Sequence, residues 1–165
     1  MMLPNPNLTI RRLTNEDVAD FSAAAKLLDD MSQLHAEKVP EVFDGSQPPK
    51  DTNYVAELVA ETKNQIYVAK EDGQVIGVLR ASIHTAEDAP GWRVRRYGSI
   101  EAMFINPKSR RRGVGIAMMQ TALDYFKQAE LEMAELNVWD FNREAQALYR
   151  KLGFSIKNIN LWRRL

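Results

Sequence analysis

The sequence predicts one mixed α/β domain, and size, composition and pattern each point that way. A chain of 165 residues and 18.8 kDa fits a single domain on the usual scale of roughly 100–200 residues. Its composition, 45% hydrophobic and 27% charged, matches globular chains and excludes disordered or fibrous ones. In the second half, strand-like and helix-like segments alternate, which implies a parallel strand pair joined by a right-handed crossover. A hairpin signal in the first half adds antiparallel strands, so the sheet is expected to be mixed.

The elements follow in order. After a first strand, Thr14 and Asn15 are placed to cap a helix whose positions Val18, Phe21, Leu28, Met31 and His35 keep helical spacing. Residues 44–51, dense in turn formers, read as a loop between helices and are too short for a domain linker. Thr52 or Asn53 then caps a shorter helix carrying Val55, Leu58 and Val59. Residues 66–69 and 75–79 flank Asp72-Gly73, the dipeptide suited to a two-residue hairpin turn. A polar loop over 84–96 leads to a strand over 97–105, which Pro107 stops. From Gly113 a helix places Ile116, Met119, Leu123 and Phe126 on one face. A strand over 134–139 comes next, then a helix with Ala145, Leu148 and Leu152, then a terminal strand pair over 154–165.

Several function classes drop out at once. There is no cysteine, so disulfides, thiolate zinc sites and cysteine nucleophiles are excluded, as suits a reducing cytosol. Lys+Arg and Asp+Glu are 22 each, giving zero formal charge and a pI near 6.8. A nucleic-acid or membrane-surface binder would show a basic excess. Apolar runs such as 102–105 and 116–119 fall far short of the ~18–20 residues of a membrane span. The opening MMLPNPNLTIRRL has no apolar core of a secretory signal. The expectation is a cytoplasmic protein. His35 and His84 are far apart, with no ligand spacing around them, so no metal site is expected.

Chemistry concentrates between Ile105 and Ala117. A strand end runs through Arg110, Arg111 and Arg112 and then Gly113-Val-Gly115 into a helix start. Glycine lets the backbone turn tightly and approach a ligand, and the first helical N–H groups project unsatisfied with partial positive charge. Together they form a cradle for phosphate or pyrophosphate. No Gly-Lys-Ser/Thr follows, so this is not a P-loop, and Met118 stands where a dinucleotide fingerprint needs its third glycine.

Met103-Phe-Ile-Asn-Pro-Lys-Ser-Arg-Arg-Arg-Gly-Val-Gly115 resembles the central acetyl-CoA motif of the GNAT N-acetyltransferases. About thirty residues later, residues 136–154 resemble the family's second motif, a strand followed by Asn-x-x-Ala-x-x-Leu-Tyr-x-Lys-x-Gly-Phe. The resemblance covers essentially the whole chain as one domain, 1–165. It implies a mixed sheet with splayed parallel strands flanked by helices, and acetyl-CoA-dependent transfer to a primary amine by direct attack in a ternary complex.

Residue by residue, the resemblance gives Met103, Phe104 and Ile105 to the pantetheine arm, held by main-chain groups. Arg110, Arg111, Arg112, Gly113, Val114, Gly115 and Ile116 fall to the pyrophosphate. Asn142 matches an asparagine that contacts the cosubstrate, and it can also cap its helix. Tyr149 matches the tyrosine that protonates the leaving thiolate. Glu101, two residues before Met103 and so expected on the same face, matches a strand glutamate acting as base or as anchor for the amine. For Glu101 to act as base, either a water relay or a pKa raised by burial is expected. The acceptor, a small molecule or a protein amine, would be met by residues 35–53, with Glu37, Glu41, Phe43 and Asp44, and by residues 158–162. Trp92 and Trp162 read as core or as contacts of a homodimer, with Leu161 and Leu165 near the latter. The rival readings are a non-catalytic acyl-CoA-binding module of the same fold and a nucleotide-binding domain.

Overall fold

A computed structural model describes residues 7–86 and 90–164. Strand β1 (Leu8–Arg12) leads to helix α1 (Val18–Lys38). The helix starts at Asp17, not at Thr14 or Asn15: the Asp17 carboxylate accepts from the Thr14 N–H (2.7 Å) and hydroxyl (2.9 Å), fixing the turn ahead of it. Phe21, Ala24, Ala25, Leu27 and Leu28 are buried, whereas Val18 is exposed and lies off the apolar face. Helix α2 (Thr52–Ala60) is capped one residue earlier than expected, by Asp51, which accepts from the Tyr54 N–H at 3.0 Å.

Strands β2 (Asn64–Glu71) and β3 (Gln74–Thr85) join through Asp72 and Gly73, both at positive φ (50° and 80°), the backbone of the expected hairpin turn. Strand β4 (Arg96–Ile105) follows, so His84 and Arg96 lie in strands and not in the loop assigned to them; residues 87–89 of that loop are outside the described residues. A 3₁₀ turn at Pro107–Ser109 precedes helix α3 (Val114–Gln128), strand β5 (Ala134–Leu136) and helix α4 (Arg143–Lys151).

The strands form one sheet in the order β1-β2-β3-β4-β5, antiparallel except for the parallel β4–β5 pair. Side chains alternate across it into two cores. Ile66, Val68, Val78 and Phe104 pack against α1 and α2, and Tyr67, Ala69, Leu79, Ala81 and Ile100 pack against α3.

Two expectations about the C-terminal part are overturned. The strand expected over 134–139 pairs only at 134–136, and residues 154–164 contain no strand; Leu165 is outside the described residues. The helix α4 ends in Gly153 at φ 89°, and the chain beyond runs past β5, held there by Lys157 on Glu135 (2.8 Å). Ile156, Ile159, Leu161 and Trp162 remain exposed, so no buried face fixes a strand register.

Gly98 marks the tightest contact between sheet and α3: a Cβ there would meet the buried Phe126 ring at 2.4 Å. Gly98→Ala is expected to destabilise the fold by about 1–3 kcal/mol, as overpacking against a ring does. Chemical denaturation should show a lowered midpoint with unchanged slope.

Candidate functional site

The site begins where β4 and β5 part. They pair at only three positions, Gly98 with Ala134, Ser99 with Glu135 and Ile100 with Leu136. At the next residue β4 bulges: Ala81 pairs with Ile100 and Arg80 with Ala102, leaving Glu101 as the extra residue. The bulge resets the alternation. Glu101 meets Ser82 and His84, which alternate along β3 with the α3-facing Ala81 and Ile83, so its side chain lies on the α1/α2 face. Met103 and Ile105 pack on the α3 face. Glu101 and Met103 therefore do not share a face, contrary to simple two-residue spacing.

The bulge also sets which main-chain groups are open. The Asn106 N–H donates to the Ile76 carbonyl at 2.8 Å, so residues 102, 104 and 106 bond toward β3, and Met103 and Ile105 turn theirs toward the gap. The Phe104 main chain belongs to the sheet, and its side chain is buried under α1. The Ile105 carbonyl accepts from Arg110 Nε at 3.1 Å. What remains open to an extended ligand is the Ile105 N–H and the main chain of Met103.

The gap ends at the cradle. Arg111 (φ 62°) and Gly113 (φ 84°) take left-handed backbone, and open space surrounds the Gly113 position. The first α3 bond runs from the Ala117 N–H to the Gly113 carbonyl (3.0 Å), so the Val114, Gly115 and Ile116 N–H groups precede the helical ladder. Gly115 serves packing: a Cβ there would come within 3.1 Å of Leu148 and 3.2 Å of Ile105. The three arginines divide their work. Arg112 grips Glu71 with two bonds (2.6 and 2.9 Å), tying the cradle to the end of β2. Arg110 braces the Ile105 carbonyl, and Arg111 extends into solvent, 3.9 Å from Glu144. A strand edge with open donors, ending in left-handed backbone and free helical N–H groups, fits a pantetheine arm and its pyrophosphate.

Glu101 is the centre of a polar network. Its Oε1 lies 2.7 Å from Ser82 Oγ and 2.7 Å from His84 Nε2, and those two atoms are 2.8 Å apart. Burial pushes the Glu101 carboxyl up, but hydrogen bonds from Ser82, His84 and Ser99 and the charge of Arg80 outweigh it. The pKa is lowered, not raised, so Glu101 is a held carboxylate and a weak proton acceptor. Arg80 has its Nε buried without a hydrogen-bond partner among the described residues. Tyr97 stacks on the His84 ring (5.6 Å, 22°), and Arg95 lies 4.5 Å over Tyr97. Sequence reasoning passed over His84, yet Arg80, Ser82 and His84 at alternate positions of an apolar strand are a polar stripe that signals it.

Tyr149 packs on the α3 side, its ring 6.0 Å from Phe154, and burial raises its phenol pKa. It belongs to the core on the opposite face of the sheet from Glu101. Asn142 caps α4, accepting from the Ala145 N–H at 3.2 Å.

On the acceptor side, Phe43 stacks on His35 (5.0 Å) and meets Trp139 edge-on (5.4 Å), with Phe141 at 5.9 Å from His35. Burial lowers the His35 pKa against a hydrogen bond to the Met31 backbone that raises it, which favours a neutral ring. A cleft of about 620 Å³ lined by Gln33, Glu37, Glu41, Phe43 and Asp44 opens beside this cluster. A second, of about 310 Å³, lies between Trp139, Phe141 and Trp162. Arg164 pairs with Glu41, drawing the C-terminal segment across. Trp92 is exposed and belongs to no core.

Comparison with known proteins identifies the family and the fold. The sequence pattern of the acetyltransferase (GNAT) family matches residues 28–154. An uncharacterized N-acetyltransferase of Archaeoglobus fulgidus is 27% identical over 124 residues, covering 74% of this chain and 82% of that one. Another, from Methanocaldococcus jannaschii, is 26% identical over 106 residues, 64% of this chain and 46% of its own longer one. The fold of a mutant BH1408 protein from Bacillus halodurans superposes with a TM-score of 0.85 at 20% identity, covering 95% of this chain and 99% of that one.

The held Glu101 carboxylate has a stability signature. With its folded pKa below the reference of 4.5, it contributes stability above that value and loses it as pH falls through the folded pKa. Glu101→Gln removes this contribution. The gap in denaturation midpoint between wild type and Glu101→Gln should narrow as pH drops from 7 to about 3, and a constant gap would contradict the network.

Proposed function

The chain belongs to the GNAT acetyltransferase family, and from that premise we propose that it moves the acetyl group of acetyl-CoA to a primary amine by direct attack in a ternary complex. The observation that carries this reading is the opened edge of β4 at Met103 and Ile105, running straight into the Gly113–Ile116 cradle. When bound, acetyl-CoA supplies a thioester carbonyl as electrophile. The chain's residues bind and orient it. Met103 and Ile105 take the arm as an added strand, the N–H groups of residues 111–116 meet the pyrophosphate beside Arg110 and Arg111, and Asn142 contacts it from the start of α4. With no cysteine available, the amine attacks without a covalent enzyme intermediate.

The two faces divide the proton work. Glu101 on the α1/α2 face presents a carboxylate to the incoming ammonium. Tyr149 on the α3 face reaches the leaving sulfur. A phenol near 10 giving its proton to a thiolate near 8.5 is uphill by about 2 kcal/mol, and burial of Tyr149 steepens that. Tyr149 therefore acts chiefly as a hydrogen-bond donor that completes transfer as the thiolate departs.

The two clefts support a cationic amine on an apolar frame: Glu37, Glu41, Asp44 and Phe43 line the larger, and Glu41, Trp139, Phe141 and Trp162 line the smaller. Leu161 and Trp162 are exposed beside it and would be covered in a homodimer. The absence of cysteine suits a cytoplasmic setting.

Tyr149→Phe is expected to lower kcat by at least ~10²-fold with acetyl-CoA affinity little changed; turnover near the wild-type rate would make Tyr149 a packing residue only. Arg111→Glu reverses an exposed charge at the cradle without touching the core. Calorimetry should show acetyl-CoA binding weakened about tenfold, or about 1.4 kcal/mol. Undiminished binding would remove the phosphate reading of this loop.

A further inference from the structure

We propose that His84 is the base that deprotonates the acceptor amine, with Glu101 as the carboxylate that orients it and stabilises its charged form. This rests on the acetyltransferase reading and assigns the proton within it. The argument is one of hydrogen-bond arithmetic. Glu101 Oε1 and His84 Nε2 are 2.7 Å apart, and a carboxylate oxygen can only accept, so the proton between them is on Nε2. A neutral ring protonated at Nε2 carries its lone pair on Nδ1. Nδ1 has no hydrogen-bond partner and is not a buried unsatisfied atom among the described residues, so it is open to solvent or substrate. The His84 side chain is 41% exposed and that of Glu101 26%, so the ring is the more accessible of the two.

The surroundings hold that geometry. Ser82 donates its hydroxyl to the same Oε1 at 2.7 Å, and Tyr97 stacks on the ring face, itself covered by Arg95. The charged and titratable groups around the ring are Glu101 and Tyr97 on β4, Arg80 on β3 and Arg95 before β4. A carboxylate already satisfied by three hydrogen bonds and a nearby guanidinium is a poor place to leave a proton. An imidazole, ordinarily near 6.5 against about 4.3 for a carboxyl, is a better one.

The step balances. An N–H bond of the ammonium breaks and its proton passes to Nδ1, directly or through one water. The freed lone pair attacks the thioester carbonyl, and the C–S bond breaks. The departing thiolate takes the Tyr149 proton, while the second N–H proton of the new ammonium centre returns through water to restore the phenol. The imidazolium keeps its Nε2–H on Glu101 and later releases the Nδ1 proton to water. Carboxylate, imidazole and substrate proton stand in the relation that lets an acid residue fix a histidine tautomer for base catalysis.

The test has two arms. His35 and His84 are the chain's histidines, so ring ¹⁵N shifts of the free wild-type protein can be assigned with a His35→Gln variant. The proposal expects a neutral His84 ring protonated at Nε2, with that tautomer preference lost in Glu101→Leu, which removes the accepting carboxylate. A ring protonated at Nδ1, or a tautomer unmoved by Glu101→Leu, overturns it without any need for turnover. In the second arm, the wild type is assayed with acetyl-CoA and a panel of amines. His84→Ala should lose about 10²-fold in kcat at unchanged acetyl-CoA KM, with the limb of the pH profile due to His84 gone. Added imidazoles should restore the rate in order of basicity, and His84→Gln should remain slow. His84→Ala at the wild-type rate, or rescue by His84→Gln, refutes the assignment. A wild type that binds acetyl-CoA but acetylates no amine refutes the transferase reading instead, and the ring ¹⁵N result still stands on its own.

Discussion

The parting of β4 from β5 is the constraint on which the rest of this molecule depends. Two parallel strands that stayed paired would satisfy each other's main chain and leave no opening. Here the ladder stops after Ile100–Leu136, and the bulge at Glu101 makes the break productive. One extra residue turns Met103 and Ile105 toward the gap and swings the carboxylate to the opposite face. The open strand edge and the polar network around Glu101 thus follow from a single irregularity in one strand.

Around that irregularity the fold is conservative. Two cores hold the sheet rigid, and the loop between β4 and α3 is pinned from both sides by Arg112 on Glu71 and Arg110 on the Ile105 carbonyl. The left-handed backbone at Arg111 carries strain, held by these anchors, whereas Gly113 adopts its own freely. Rigid elements place the site, and its charge comes from main-chain dipoles as much as from side chains.

Much of this was legible in the sequence, for physical reasons that particular residues show. Asp72-Gly73 admits few backbones other than a hairpin turn, and Gly113 at a strand-to-helix junction announces a cradle whatever follows it. The helix starts were misplaced by one to three residues because Asp51 takes the capping role ahead of Thr52 and Asn53, and Asp17 holds Thr14 in a turn that precedes α1. The bulge was invisible: alternation read along β4 puts Glu101 beside Met103, and only the register against β3 reveals the reversal. The terminal strand pair failed because exposed Ile156, Ile159 and Leu161 lend a strand-like pattern to a segment with no face to bury. His84 was overlooked because its partner Glu101 is seventeen residues away along the chain, a distance that only strand pairing closes.

The central claim, that the open edge of β4 and the start of α3 receive one extended acyl-CoA, is tested most directly by amide hydrogen exchange with and without acetyl-CoA. Slowed exchange confined to the amides of Met103 and Ile105 and of residues 111–116, with Phe104 already protected by β3 in the free protein, is the predicted result. An Ile105 amide that exchanges equally fast in both states while the protein is saturated with acetyl-CoA would contradict the account.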